Sequence, residues 1–411
     1  MRTYALSSYA VGIASLLAGC GSSQIAPVAP VAAAQHNTGP YSYKVLHRFS
    51  VAEQGGTGRP LAGLINVGGT LYGNTFGNER GDGTVFSVST AGKYKNVFRF
   101  NGTDGSAPWH DPLLDVDGTL YGTTYYGGSS GKGVVFSLTT SGAENVLYQF
   151  AGGSDGEHPW SGLVDVNGTL YGTTSNGGGG PCYEGCGTVY AIGASGVEHV
   201  LHTFTGEADG QTPGAALLNV NGTLFGTTQG GGANGEGCVY SISSSGTEEV
   251  LYSFSGADGA SPLAPLIDVK GTLYGTTELG GEYNDGTVFS IGRSGKEKVL
   301  YSFAGHSDGK NPLAALLEVH GTLYGLTNGG GSSNSGCDDS YGEGCGTIYS
   351  VTTKGEEKVL YAFKGGSDGW APQDALVDVN GTLYGTTSLG GEGGGPSCYD
   401  AGCGTIFQIT P

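Results

Sequence analysis

The chain has 411 residues and a net charge of −19, with 82 glycines and 15 prolines. That acidity disfavours nucleic acid as a partner, because phosphates are repelled. Collagen is excluded by the absence of a three-residue period. Disorder is argued against by 37% hydrophobic residues and by glycines that recur at fixed places beside Leu, Val, Tyr and Phe.

Residues 1–20, MRTYALSSYAVGIASLLAGC, read as a secretory signal, with Arg2 before an apolar run too short to span a bilayer well. The run ends in Leu17-Ala18-Gly19-Cys20, which resembles a bacterial lipoprotein signal. That resemblance implies lipidation at Cys20, and Gly21 after it points to an outer membrane if the cell has two. The alternative is an ordinary cleaved signal with a chance cysteine. Residues 21–42 are rich in Ala, Pro and Ser without a period, and read as a flexible tether.

From residue 43 to 411 one unit repeats. The segment G-T-L-[YF]-G starts at Gly69, Gly118, Gly168, Gly222, Gly271, Gly321 and Gly381. A second segment of the type GTVFSI follows each copy. A third, Asp-Gly-x-x-Pro, ends at Pro108, Pro159, Pro213, Pro262, Pro312 and Pro372, with a degenerate version at Pro60. Each unit predicts four short strands. In the third they are residues 163–166, 169–174, 188–192 and 199–204, and Asn167-Gly168 suits a type I′ hairpin turn. No stretch after the signal has helical periodicity.

Units of this length suit blades of a β-propeller. The last unit lacks a fourth strand, since the chain stops at Pro411. The missing piece stands at the other end, where Val45-Leu46-His47-Arg48-Phe49 matches the VLYSF-type segments that close the other units. The expectation is an all-β, seven-bladed propeller of four-stranded blades, closed by an N-terminal strand that completes the last blade.

The blocks "GTLYGTT…GG…GTVFSI" and "KVLYSF" resemble the GloVer tandem-repeat family of bacterial envelope proteins, over nearly all of the mature chain. The resemblance implies a propeller-like repeat protein with a surface anchor, and carries over no catalytic residue. Kelch repeats have a similar period, but their downstream tryptophan is absent from most units.

The short, uniform turns should share one end of the propeller. The loops from strand two to three and the links between blades share the other, which is where length varies and where function usually sits. Three long loops hold Cys182 and Cys186, Cys337 and Cys345, and Cys398 and Cys403, expected as one disulfide per loop in an exported setting. Zinc is disfavoured there by spacing and by the lack of convergent histidines. Cys238 replaces a threonine of the GTVF block and reads as a buried free thiol. Asp104, Asp155, Asp209, Asp258, Asp308 and Asp368 recur in the links and read as turn residues, bonding N–H groups two residues on, rather than calcium ligands.

The pattern breaks in neighbouring blades. Trp109, His110 and Asp111 stand in one link, His158 and Trp160 in the next, and Tyr125 and Tyr126 in the loop between. With Trp370 these are the candidate binding residues, for stacking on sugars or gripping a partner, against the simpler reading of packing between blades. One functional expectation is a lipid-anchored binding scaffold for a glycan or surface protein. It would be monomeric, with no cofactor or bound metal, and would touch the membrane only through the anchor. The alternatives are a polysaccharide hydrolase or lyase, with His110, Asp111 and His158 the only candidates for acid–base work, or a passive surface coat.

Overall fold

The computed structural model describes residues 41–50, 59–77, 82–109, 112–331, 337, 344–391 and 402–411. The signal, Cys20, nearly all of the tether, His110, Asp111 and Cys398 lie outside the described residues.

Seven antiparallel sheets succeed one another along the chain, six with their four blade strands in sequence order and the last with the N-terminal strand as its fourth. In the fifth blade these are Ile267–Val269, Thr272–Thr277, Thr287–Gly292 and Glu297–Ser302. The first strands of adjacent blades touch all the way round, so they form the innermost ring. The described residues hold no α-helix, only two 3₁₀ turns. The fold is a seven-bladed β-propeller.

The repeat segments explain the blade. The hairpin after strand one needs two positive φ angles, and Asn167 and Gly168 supply them at 55° and 81°. The middle residue of strand one caps this turn: Asp165 Oδ1 accepts from Gly168 N–H at 3.0 Å. The second glycine of GTLYG makes room for an aromatic ring from strand three. A Cβ on Gly275 would lie 2.6 Å from Phe289 Cζ. That ring then meets the Phe ending the outer strand of the preceding blade. All seven such pairs, from Phe49–Phe86 to Phe363–Phe407, have centroids 5.0 to 5.3 Å apart in edge-on geometry. The core is seven apolar layers, one between each pair of neighbouring blades.

The Asp-Gly-x-x-Pro links strap one blade to the next. The aspartate does not bond forward. Asp308 accepts from Ala304 N–H, four residues earlier, at 2.9 Å and from the Tyr301 hydroxyl at 2.9 Å. The reason is that the outer strand has just ended and leaves that N–H free. The residue before the proline is left-handed in six links, at φ 53–58° for Ala107, His158, Thr212, Ser261, Asn311 and Ala371. Its N–H reaches back to the preceding blade, as Asn311 does to Asp285 O at 2.9 Å. Threonine hydroxyls add latches between blades, as Thr173 Oγ1 to Pro213 O at 3.0 Å.

Closure is built to the same pattern. Ser42–Arg48 pairs antiparallel with Thr405–Thr410, from Ser42 opposite Thr410 to Arg48 opposite Thr405. Phe49 N–H donates to Gly404 O at 3.0 Å, as Phe303 does to Gly286 O at 3.0 Å. Phe49 is fully buried. Across the seam Thr386 Oγ1 donates to Ala62 O at 3.2 Å, and Asp374 Oδ2 accepts from Gly63 N–H at 2.6 Å.

Cys182–Cys186 and Cys337–Cys345 are disulfides, with Cα atoms 5.1 and 5.3 Å apart. Cys403 is disulfide-bonded as well. These bonds mark an extracytoplasmic protein. Cys238 is buried and free, 3.2 Å from Thr228 Oγ1. In five other blades two threonines meet at this place, as Thr277 and Thr287 do at 2.8 Å. Burial pushes the Cys238 thiol up to about 12, which disfavours the thiolate that a nucleophile needs.

Candidate functional site

Two neighbouring features mark the face that carries the links. The first is a cavity of about 230 Å³. Trp160, Gly214, Leu263, Leu313 and Gln373 line it, each following the proline of its link in five successive blades. Those links feed the innermost strands, so the cavity lies at the mouth of the ring. Gln229, Glu278 and Asp374 bring polar groups. Asp374 is tied into the seam, whereas Glu278 accepts a hydrogen bond from Ser261 Oγ at 3.1 Å. Burial raises the Glu278 carboxyl above the usual range, and the serine bond opposes the rise.

The second feature is an aromatic cluster that starts at Trp160 on the cavity wall. Trp109 stands edge-on to it, with centroids 6.2 Å apart, and edge-on to Phe76 at 4.4 Å. Tyr125 fills the angle between the tryptophans, 5.3 Å from Trp109 and 6.3 Å from Trp160. His158 stacks on Tyr125 at 4.5 Å with planes 7° apart, and Tyr126 stands edge-on to both. Trp109, Tyr125 and Trp160 are half-buried, Tyr126 is 46% exposed and His158 is 8% exposed. The cluster therefore packs between blades and still shows ring surface to solvent. Burial, with Tyr126 adding to it, pushes the Tyr125 hydroxyl up to about 12. Burial lowers the pKa of His158.

Blade three is built differently from its neighbours here. Its second strand, Thr169–Asn176, runs to eight residues, and Glu157–Pro159 pairs with it as a fifth strand. In five other blades the equivalent contact is a single bridge, such as Gln211 with Gly230. The extension draws Glu157 and His158 beside Asn176, opposite the disulfide loop that carries Glu184.

Five of the expected binding residues thus meet: Trp109, Tyr125, Tyr126, His158 and Trp160. Trp370 does not join them. It is 5% exposed, in the core layer between blades six and seven, because it precedes its proline and its backbone bridges to Leu389. The sequence reading passed over Phe76, Gln229 and Glu278. All three follow the GTLYGTT segment directly, as Tyr125 does, and this slot differs from blade to blade. Its variability was the available signal.

The model of the Gloeobacter/Verrucomicrobia repeat family matches residues 35–181 and 145–337. No functionally curated protein matches the chain in sequence. Among solved structures, an oligogalacturonate lyase in complex with manganese is similar over 82% of this chain and 85% of its own, with 12% identity and a TM-score of 0.50. A candidate 6-phosphogluconolactonase from Bacteroides uniformis is similar over 74% of this chain and 84% of its own, with 15% identity and a TM-score of 0.48. At such identities the likeness concerns the fold alone.

Proposed function

Because the chain belongs to the Gloeobacter/Verrucomicrobia repeat family, we propose that it is an exported bacterial binding module that holds a carbohydrate at the mouth of its ring. One observation carries this reading. In a ring of near-identical sectors, a single arc gathers Phe76, Trp109, Tyr125, Tyr126, His158 and Trp160, and that arc runs into a cavity edged by Gln229, Glu278 and Gln373. Aromatic faces take the apolar face of a sugar ring, while amide and carboxyl groups take its hydroxyls. The cavity is below the roughly 300 Å³ at which drug-sized pockets begin. It suits one terminal sugar, with the rest of the chain lying along the aromatic arc. The charge of −19 favours neutral or basic glycans over acidic ones.

In this reading Cys20 carries the lipid that fixes the module to the cell envelope, and residues 21–42 hold it off the surface; the Leu17-Ala18-Gly19-Cys20 run supports this. Loss of incorporated fatty acid in Cys20→Ser tests the anchor. A glycan array on the full chain tests the binding, followed by Trp109→Ala and Trp160→Ala. Each substitution is expected to weaken a hit about tenfold or more, in line with aromatic contacts of about 1–3 kcal/mol in binding sites. If both variants fold normally and bind unchanged, the proposal fails.

A further inference from the structure

Beyond carbohydrate binding, we infer that Glu157, His158 and Glu184 form a binding site for one first-row divalent cation, of the Zn²⁺ or Mn²⁺ kind, on the face of blade three. One donor atom from each of the three lies within 4.8 Å of the other two. Among the described residues no other group of three His, Cys, Asp or Glu side chains converges in this way.

The donors are held in place from three directions. Glu157 and His158 sit on the added strand and are 5% and 8% exposed. The imidazole is gripped by Tyr125, stacked at 4.5 Å, and by Tyr126, edge-on at 5.2 Å. The buried Nδ1 of the ring has no hydrogen-bond partner. A buried ring nitrogen left in this state points to a ligand, because buried polar atoms are ordinarily satisfied and a neutral imidazole nitrogen is a good metal donor. Glu184 arrives from the opposite side, between Cys182 and Cys186. The disulfide closes that loop, and Gly177 N–H donates to Glu184 O at 2.6 Å. The Cys182–Cys186 bond therefore presents a carboxylate to His158, which is a role beyond pinning the loop.

The donor set selects the ion. Calcium takes about six to eight oxygens, and only two carboxylates converge here. One imidazole with two carboxylates suits Zn²⁺ or Mn²⁺, with remaining positions left to water. A metal with ligands at about 2.0–2.2 Å holds them within about 4.4 Å of one another, and the three donors here already lie within 4.8 Å. The exposed, long Glu184 side chain can close the remaining gap. Lys132 competes for the site, since its ammonium is ion-paired with Glu157.

The test is calorimetric titration of ZnCl₂, and separately MnCl₂, into the untagged full chain. One equivalent is expected to bind. Glu184→Gln on the exposed loop is expected to weaken binding at least tenfold. Glu157→Gln and His158→Asn are expected to do the same. Each places in blade three the side chain of the same link slot in another blade, Gln211 and Asn311, so the backbone is preserved. Lys132→Met, which frees the Glu157 carboxylate, is expected to tighten binding. The inference is overturned if neither ion binds at millimolar concentration. It is overturned equally if Ca²⁺ binds in preference, or if the affinity is unchanged in Glu184→Gln and His158→Asn. The probe is the metal alone, so this result and the glycan result fail independently.

Discussion

The seam between the first and last blades can be weighed against an interface that no chain terminus crosses. Phe49→Ala removes a fully buried ring whose edge-on partner, Phe86, lies at 5.2 Å. Phe254 occupies the same slot in blade four, fully buried and 5.0 Å from Phe289. A buried Phe hides roughly 150–250 Å², which at about 25 cal/mol/Å² gives about 4–6 kcal/mol as an upper estimate. Measured Phe→Ala costs run at about 3–5 kcal/mol once the cavity is included. For a body of this size that corresponds to a drop in melting temperature of roughly 4–6 °C. The assay is thermal unfolding of both variants, followed by tryptophan fluorescence and circular dichroism. Equal losses are expected, because the Phe49 and Phe254 pairs have the same geometry and the same bond to the third strand. A Phe49→Ala loss far smaller than that of Phe254→Ala would refute a seam as tight as the other interfaces.

Three further outcomes follow from the repeat. Burial, with Asp155, Asp209, Asp258 and Asp308 adding repulsion, pushes Glu198, Glu248 and Glu297 up to about 7 and Glu357 up to about 8. The folded carboxyls hold protons that the unfolded ones have already lost and give them up as pH rises through 7 to 8, so stability, falling from about pH 4.5, continues to decline in the window from pH 6.5 to about 8. His158 and His202, lowered by burial, act the opposite way only below that window. Melting temperature should therefore fall across it, and Glu357→Gln should flatten the profile; a rise with pH would contradict the assignment. Gly275→Ala sets a Cβ 2.6 Å from Phe289 Cζ and 2.9 Å from Leu266 Cδ2, and should cost about 1–3 kcal/mol in urea unfolding. Cys238→Thr restores the paired hydroxyls seen in five blades and should leave stability equal or higher; native Cys238 should resist thiol reagents until the protein unfolds.

The architecture was legible because it is written seven times. Hairpin dipeptides, the glycine that clears an aromatic ring and the link prolines each answer one local requirement. The end-to-end closure followed from matching residues 45–49 to the outer strands. The site was legible only where the pattern broke. Trp160 and Trp370 look alike as single residues in links, yet one follows its proline and lines the cavity while the other precedes it and is buried. Counting positions from the proline separates them. Glu184 gave no such signal. Its approach to His158 depends on a disulfide loop folding across an extended strand, and neither composition nor spacing encodes that distance.

The most direct measurement of the functional claim is oxidative footprinting of tryptophan with and without a glycan selected on the array. Trp109 and Trp160 are half-buried and open to reagent, whereas Trp370 is 5% exposed and serves as the internal reference. Ligand is expected to protect Trp109 and Trp160 and to leave Trp370 unchanged. Binding that leaves Trp109 and Trp160 as reactive as before would show that the ligand sits elsewhere and that the aromatic arc is packing alone.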